Sequence, residues 1–125
     1  EAYDFWKLSY ENGWFARLSI IDKAASRAVG TVELCLRVSE DPFNNMGILR
    51  VDVRSDYETE DVLYEIVSLT APRMADLLGC AGILTKAPLY AVERIKALQR
   101  AGFTRSEHLL IGKTGYAYDG YWTLP

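Results

Sequence analysis

Apolar and polar positions change period several times along the chain, and each change marks an element. Residues 14–21 (WFARLSII) are rich in aromatic and branched side chains, and after the turn-like DKAASRAVG residues 31–38 (TVELCLRV) repeat that character. Two strands in an antiparallel hairpin are predicted. The breakers of residues 39–47 (SEDPFNNMG) read as a loop, beyond which Leu49, Val51 and Val53 alternate with Arg50, Asp52 and Arg54, the mark of a strand with one buried face. From 59 to 78 the spacing of Val62, Ile66, Leu69, Met74, Leu77 and Leu78 becomes helical, with Gly79 as a stop and Pro72 predicting a kink or break near Ala71. The short apolar run 81–85 then reads as a buried strand, parallel to its predecessor through a right-handed crossover. Pro88 opens a second helix with Val92, Ile95 and Leu98 on one face, cations at Arg94, Lys96 and Arg100, and Gly102 as its stop. Two last strands are expected around 108–111 and 118–124, joined by a loop containing Gly112 and Gly115. The first ten residues follow neither period and are left unplaced. The order predicts an α+β fold, its mixed sheet built round a central β-α-β unit.

Composition narrows this to one domain over residues 1–125. The chain is 50% hydrophobic and 25% charged, and a chain of this length buries roughly two-thirds of its unfolded surface without a disulfide or structural metal. Cys35 and Cys80 sit in apolar runs, VELCLRV and LLGCAGI, so buried reduced thiols and a cytoplasmic location are expected. With 14 basic against 17 acidic residues the net charge is −3, which supplies no field for nucleic acid or an anionic membrane. No apolar run nears the ~20 residues of a membrane span, and the start lacks the pattern of a signal peptide. The chain begins at Glu1 rather than methionine, as an excised piece or processed product would.

Three segments carry a resemblance to a known family. VGTVEL (29–34), LRVDVRSDY (49–57) and VERIKALQRAGF (92–103) resemble, in this order, the second hairpin strand, the central strand entering the acyl-CoA loop, and the closing helix of the GNAT N-acyltransferase superfamily. The ending YAYDGYWTLP is similar to the last strand of its ribosomal-protein alanine acetyltransferase branch. The resemblance implies a mixed, mostly antiparallel sheet, acetyl-CoA as cosubstrate, a small-molecule or peptide amine as acceptor, and a possible homodimer. That fold normally opens with a strand and one or two helices, for which there is little room before Phe15, so the N-terminal part is expected to be short or missing.

The cofactor turn departs further. The family's Arg/Gln-x-x-Gly-x-Gly/Ala turn frees backbone N–H groups for the CoA pyrophosphate. Here the positions read Glu58, Thr59, Glu60, Asp61, Val62 and Leu63, with glutamate for arginine and Asp61 and Leu63 for glycine. Asp56, Glu58, Glu60 and Asp61 would repel an anion, predicting weak acetyl-CoA binding or none, relieved by Glu58→Arg with Asp61→Gly and Leu63→Gly. Acidic residues at this place also simply stabilise a helix start, and an altered CoA pose, another ligand or a bound cation are further readings. Two functions stay open: an N-acetyltransferase, or a non-catalytic GNAT-like interaction domain that has lost CoA.

For the enzyme reading, Asp52 and Glu33 are the candidate bases, and the backbone N–H near Val53 orients the acyl carbonyl. The plain alternative is that these carboxylates are solvated or paired, with Arg37, Arg50 and Arg54 at hand. Leu98 stands where the family often has a tyrosine that meets the leaving thiolate, and Ala91 where the branch has its helix-opening asparagine. His108, the only histidine, has no metal-ligand spacing and reads as a surface or structural residue. Tyr116, Tyr118, Tyr121 and Trp122 are expected to wall a cleft, form a dimer contact or pack on a helix. Trp6, Trp14 and Phe15 are expected as core or interface anchors.

Overall fold

The computed structural model describes residues 2–11, 13–39, 41–111 and 115–125; Gly112, expected in the last loop, lies outside them. The elements run β1 (Tyr3–Glu11), β2 (Phe15–Asp22), β3 (Arg27–Leu36), β4 (Gly47–Val53), a 3-10 turn (Ser55–Tyr57) and α1 (Glu60–Leu78). After them come β5 (Ile83–Lys86), α2 (Val92–Arg100), β6 (Thr104–Arg105), β7 (Leu110–Ile111), β8 (Ala117–Tyr118) and β9 (Tyr121–Leu124). Seven strands form one sheet in the order β1-β2-β3-β4-β5-β9-β6, and β7 pairs with β8 in a separate ribbon. Every pairing is antiparallel except β4 with β5, which is parallel, with α1 between the two in sequence. This is the predicted α+β fold and the predicted β-α-β centre.

The unplaced opening is a strand. β1 pairs with β2 across a turn at Gly13 and Trp14, so no helix stands between them. Trp6 and Trp14 are exposed and Phe15 half-buried, so none of the three anchors the core. β3 starts at Arg27, four residues before the predicted strand, because the turn closes within 23–26 and Asp22 accepts the N–H groups of Ala24 and Ala25. Within β3, Gly30 permits a close approach: a Cβ there would lie 2.1 Å from the Asp52 carbonyl oxygen of β4.

α1 runs on through Pro72, so of the expected kink or break the break is absent. Pro72 leaves the Ser68 carbonyl without its i+4 donor, and both residues sit on the exposed side, where solvent has access to that carbonyl. On the other side Leu63, Ile66, Val67, Ala71, Met74 and Leu78 are buried, and this stripe packs on β2, β3 and β4 while α2 packs on α1. Thr70 is buried among them and donates its hydroxyl to the Ile66 carbonyl. Gly79 ends the helix in the left-handed region at φ +68°.

α2 starts at Val92 rather than Pro88, with Ala91 as a cap that supplies no side-chain bond. Its buried residues are Ala97 and Leu98, whereas Val92 is exposed. The predicted strand at 118–124 is interrupted at Asp119 and Gly120, and β9 lies between β5 and β6 in the main sheet. A second, smaller core of Phe43, Leu84 and Leu110, with Met46, Ile48 and Tyr121 against it, fills the β5–β9 end. Cys35 and Cys80 are free, and only partly buried rather than enclosed; burial pushes both thiols up.

Candidate active site

The site is built by strands that part. β4 and β5 pair only at Gly47 with Ile83 and Ile48 with Leu84; beyond that the strands diverge and leave an open edge on β4. Antiparallel pairing of β4 with β3 decides which groups face that edge. Arg54 donates its N–H to the Val29 carbonyl at 3.0 Å, and Gly30 stands opposite Val53. Backbone direction alternates along a strand, so the N–H and C=O groups of Leu49, Val51 and Val53 point away from β3, into the gap. Thr85 closes the first step, its buried hydroxyl donating to the Leu49 carbonyl at 2.8 Å. Farther along, a cleft of about 310 Å³ opens among Val51, Asp52, Thr85, Lys86, Arg94 and Tyr121.

Arg94 reaches this cleft from α2. Its guanidinium donates to the Val51 carbonyl at 2.8 Å, and through Nε and Nη2 it grips both carboxylate oxygens of Glu58, each at 2.8 Å. The pair is half-buried, with 19% and 33% of the two side chains exposed. The bonds from Arg94 hold the Glu58 carboxyl below its ordinary range, against desolvation pulling it up. Next to Arg94 in sequence, Glu93 accepts the N–H of Glu60, the first residue of α1, at 3.1 Å.

The acidic run at 56–61 is thus not a bare negative patch. Arg54 lies 3.3 Å from Asp56, Arg94 holds Glu58, and Arg100 lies 2.8 Å from Asp61 and 3.7 Å from Glu60. The repulsion expected from sequence is largely met by arginines, Arg54 two positions from Asp56 and Arg94 and Arg100 brought in from α2. Thr59 caps α1 without a side-chain bond. Leu63, aligned with a cofactor-facing glycine, is instead 1% exposed in the main core, and Val62 packs against that core. Its replacement by glycine would remove core packing as well as uncover backbone.

The two candidate bases separate. Asp52 lines the cleft, with 67% of its side chain exposed and Arg50 3.5 Å away. Glu33 stands opposite Arg50 one strand over, 13% exposed, and is held by Arg17 at 2.6 Å and Arg50 at 3.5 Å. Of the expected partners, Arg37 goes to Asp41 and Arg54 to Asp56. Leu98 is buried in the core, and His108 is exposed with its ring edge-on to Phe43. The late aromatic group divides: Trp122 is core, Tyr121 lines the cleft, and Tyr116 stacks on Tyr118 at 5.1 Å on the exposed ribbon. Arg94 is the residue sequence reasoning passed over as a dipole-suited cation; no local pattern ties it to Glu58.

The parallel β4–β5 pair bridged by α1 is the GNAT-like arrangement expected from the sequence, and solved N-acetyltransferases share the fold. A dodecameric spermidine N-acetyltransferase from Vibrio cholerae superposes at TM-score 0.64 with 13% identity, covering 91% of this chain and 66% of that one. A ribosomal-protein alanine acetyltransferase from Vibrio fischeri gives 0.65 with 17% identity over 90% of this chain and 61% of that one. The Vibrio cholerae enzyme in complex with CoA and spermine gives 0.60 with 13% identity, over 91% and 64%. This chain therefore spans about two-thirds of their length. No family model and no curated protein sequence matches it. Among the described residues no helix is long and apolar enough to cross a membrane.

Proposed function

We propose that this chain is an N-acetyltransferase acting in the β4–β5 cleft on an amine carried by a small molecule or peptide. The carrying observation is the splay itself, which leaves the backbone groups of Val51 and Val53 directed into a gap with Asp52 at its edge. An exposed strand edge of this kind suits an extended ligand bearing amide groups, as the pantetheine arm of acetyl-CoA does. Bound there, acetyl-CoA supplies the activated acyl group. The pyrophosphate end fits less well, since the turn at 58–63 offers no glycine and the Glu60 N–H already has a carboxylate partner.

In this reading the Val53 N–H polarises the carbonyl under attack, and preorganised donors of this kind lower the barrier by stabilising developing charge. Asp52 takes the proton of the acceptor amine, directly or through water, its exposure leaving room for both. Glu33, held by two arginines, positions Arg50 beneath Asp52 rather than meeting the amine. Thiol release from acetyl-CoA, measured against a panel of amines, tests the proposal. Turnover that falls about 100-fold in Asp52→Asn without loss of acetyl-CoA affinity is expected. An absence of both acetyl-CoA binding and turnover would leave the non-catalytic interaction domain as the reading.

A further inference from the structure

Two adjacent residues of α2, Glu93 and Arg94, meet the groups that an extended anionic ligand in the β4–β5 gap would need. Arg94 takes the Val51 carbonyl, the accepting group of the open strand edge, and Glu58 fixes it there. Glu93 takes the first N–H of α1, where the helix dipole favours a negative charge. A carboxylate of the chain thus sits on an anion-favouring amide, and a guanidinium of the chain sits on a strand edge.

None of these contacts is deeply enclosed. The Arg94 and Glu58 side chains keep 19% and 33% exposure, and Glu93 keeps 46% with Lys96 3.8 Å away. Water or a ligand can reach these groups and take over their partners at a lower cost than in a fully enclosed pair.

We propose that Glu93 and Arg94 form a self-closing latch on the cleft: acyl-CoA binds only as Arg94 leaves Val51 and Glu93 leaves the start of α1. The inference rests on the acyl-CoA reading above. Apparent affinity is then the intrinsic affinity scaled by the fraction of molecules with the latch open.

Calorimetric titration with acetyl-CoA of the unaltered chain, of Glu93→Ala, and of the double variant Glu58→Gln with Arg94→Gln tests it. The double variant keeps the net charge and leaves neither partner as an uncompensated ion, so a change in affinity is not a bulk charge effect. Thermal melts check that each variant is folded, and Glu93→Ala, at an exposed side chain, serves if the double variant is not. Both variants are expected to bind about tenfold more tightly than the parent or better, as an open fraction of a tenth would give. Equal affinity in all three overturns the latch and leaves the acyltransferase reading standing. Loss in the double variant of binding that the parent shows also overturns the latch, making Arg94 a ligand of the cofactor. No binding by any of the three overturns the acyltransferase reading and the latch together.

Discussion

Two arginines in this molecule do the same thing to different effect. Arg94 grips Glu58 and donates to the Val51 carbonyl of β4; Arg37 grips Asp41 and donates to the Ile111 carbonyl of β7, again at 2.8 Å. The difference lies in the carboxylates. Asp41 also accepts the Ser39 hydroxyl and the N–H groups of Phe43 and Ile111, and only 5% of its side chain is exposed. Glu58 has Arg94 as its side-chain partner and keeps a third of its surface in water. Removing one partner from the first pair strands a buried charge amid unmet donors, whereas solvent repairs the second. The Arg37–Asp41 pair therefore staples the loop at 37–46 to β7, and the Arg94–Glu58 pair is free to open.

Asp41→Asn sharpens this contrast most. It is expected to cost on the order of 3 kcal/mol, read as a fall in melting temperature of roughly 10 °C for a domain of this size. Glu58→Gln is expected to cost less, about 1 kcal/mol, since a third of the Glu58 side chain is already in water. Equal losses in the two variants would break the comparison.

Acid separates the pairs less sharply. Both carboxyls are held below their ordinary range by their arginines, Asp41 much further than Glu58. A carboxyl depressed in the folded state contributes stability above its unfolded pKa of about 4, and loses it as pH falls through the folded value. The contribution of Glu58 is thus lost first, and that of Asp41 at lower pH. Melting temperatures followed from pH 6 to pH 2 should fall less steeply in Asp41→Asn than in the parent, and Glu58→Gln should follow the parent closely. Parallel curves for parent and Asp41→Asn would remove Asp41 as the staple.

Elements with a long, unmixed period were legible in the sequence. β4, α1 and β5 each bury one face or both, and their apolar spacing shows it. β1 was not legible, because its Lys7 and Ser9 straddle a register shift that interrupts alternation. β6, β7 and β8 are two residues each and owe their definition to pairing partners rather than to their own side chains. A break at Pro72 was left open beside a kink because the residue's position on the exposed side of α1 follows only from what α1 packs against. At the candidate site, Asp52 and the turn at 58–63 were put forward from the strand alternation and the family resemblance, and Asp52 does line the cleft. Arg94, 36 residues from Glu58, and Asp41, 70 from Ile111, were not, since charges so far apart carry no local sign of meeting.

In the proposed latch, α2 holds the β4–β5 cleft and gives way to CoA while the Arg37–Asp41 staple stays in place. A crystal structure of the chain grown with CoA should show CoA along the open edge of β4, with Arg94 withdrawn from the Val51 carbonyl, Glu93 off the Glu60 N–H, and Arg37 still on Asp41 and Ile111. CoA bound in the cleft with the Arg94–Val51 and Glu93–Glu60 contacts intact would contradict it.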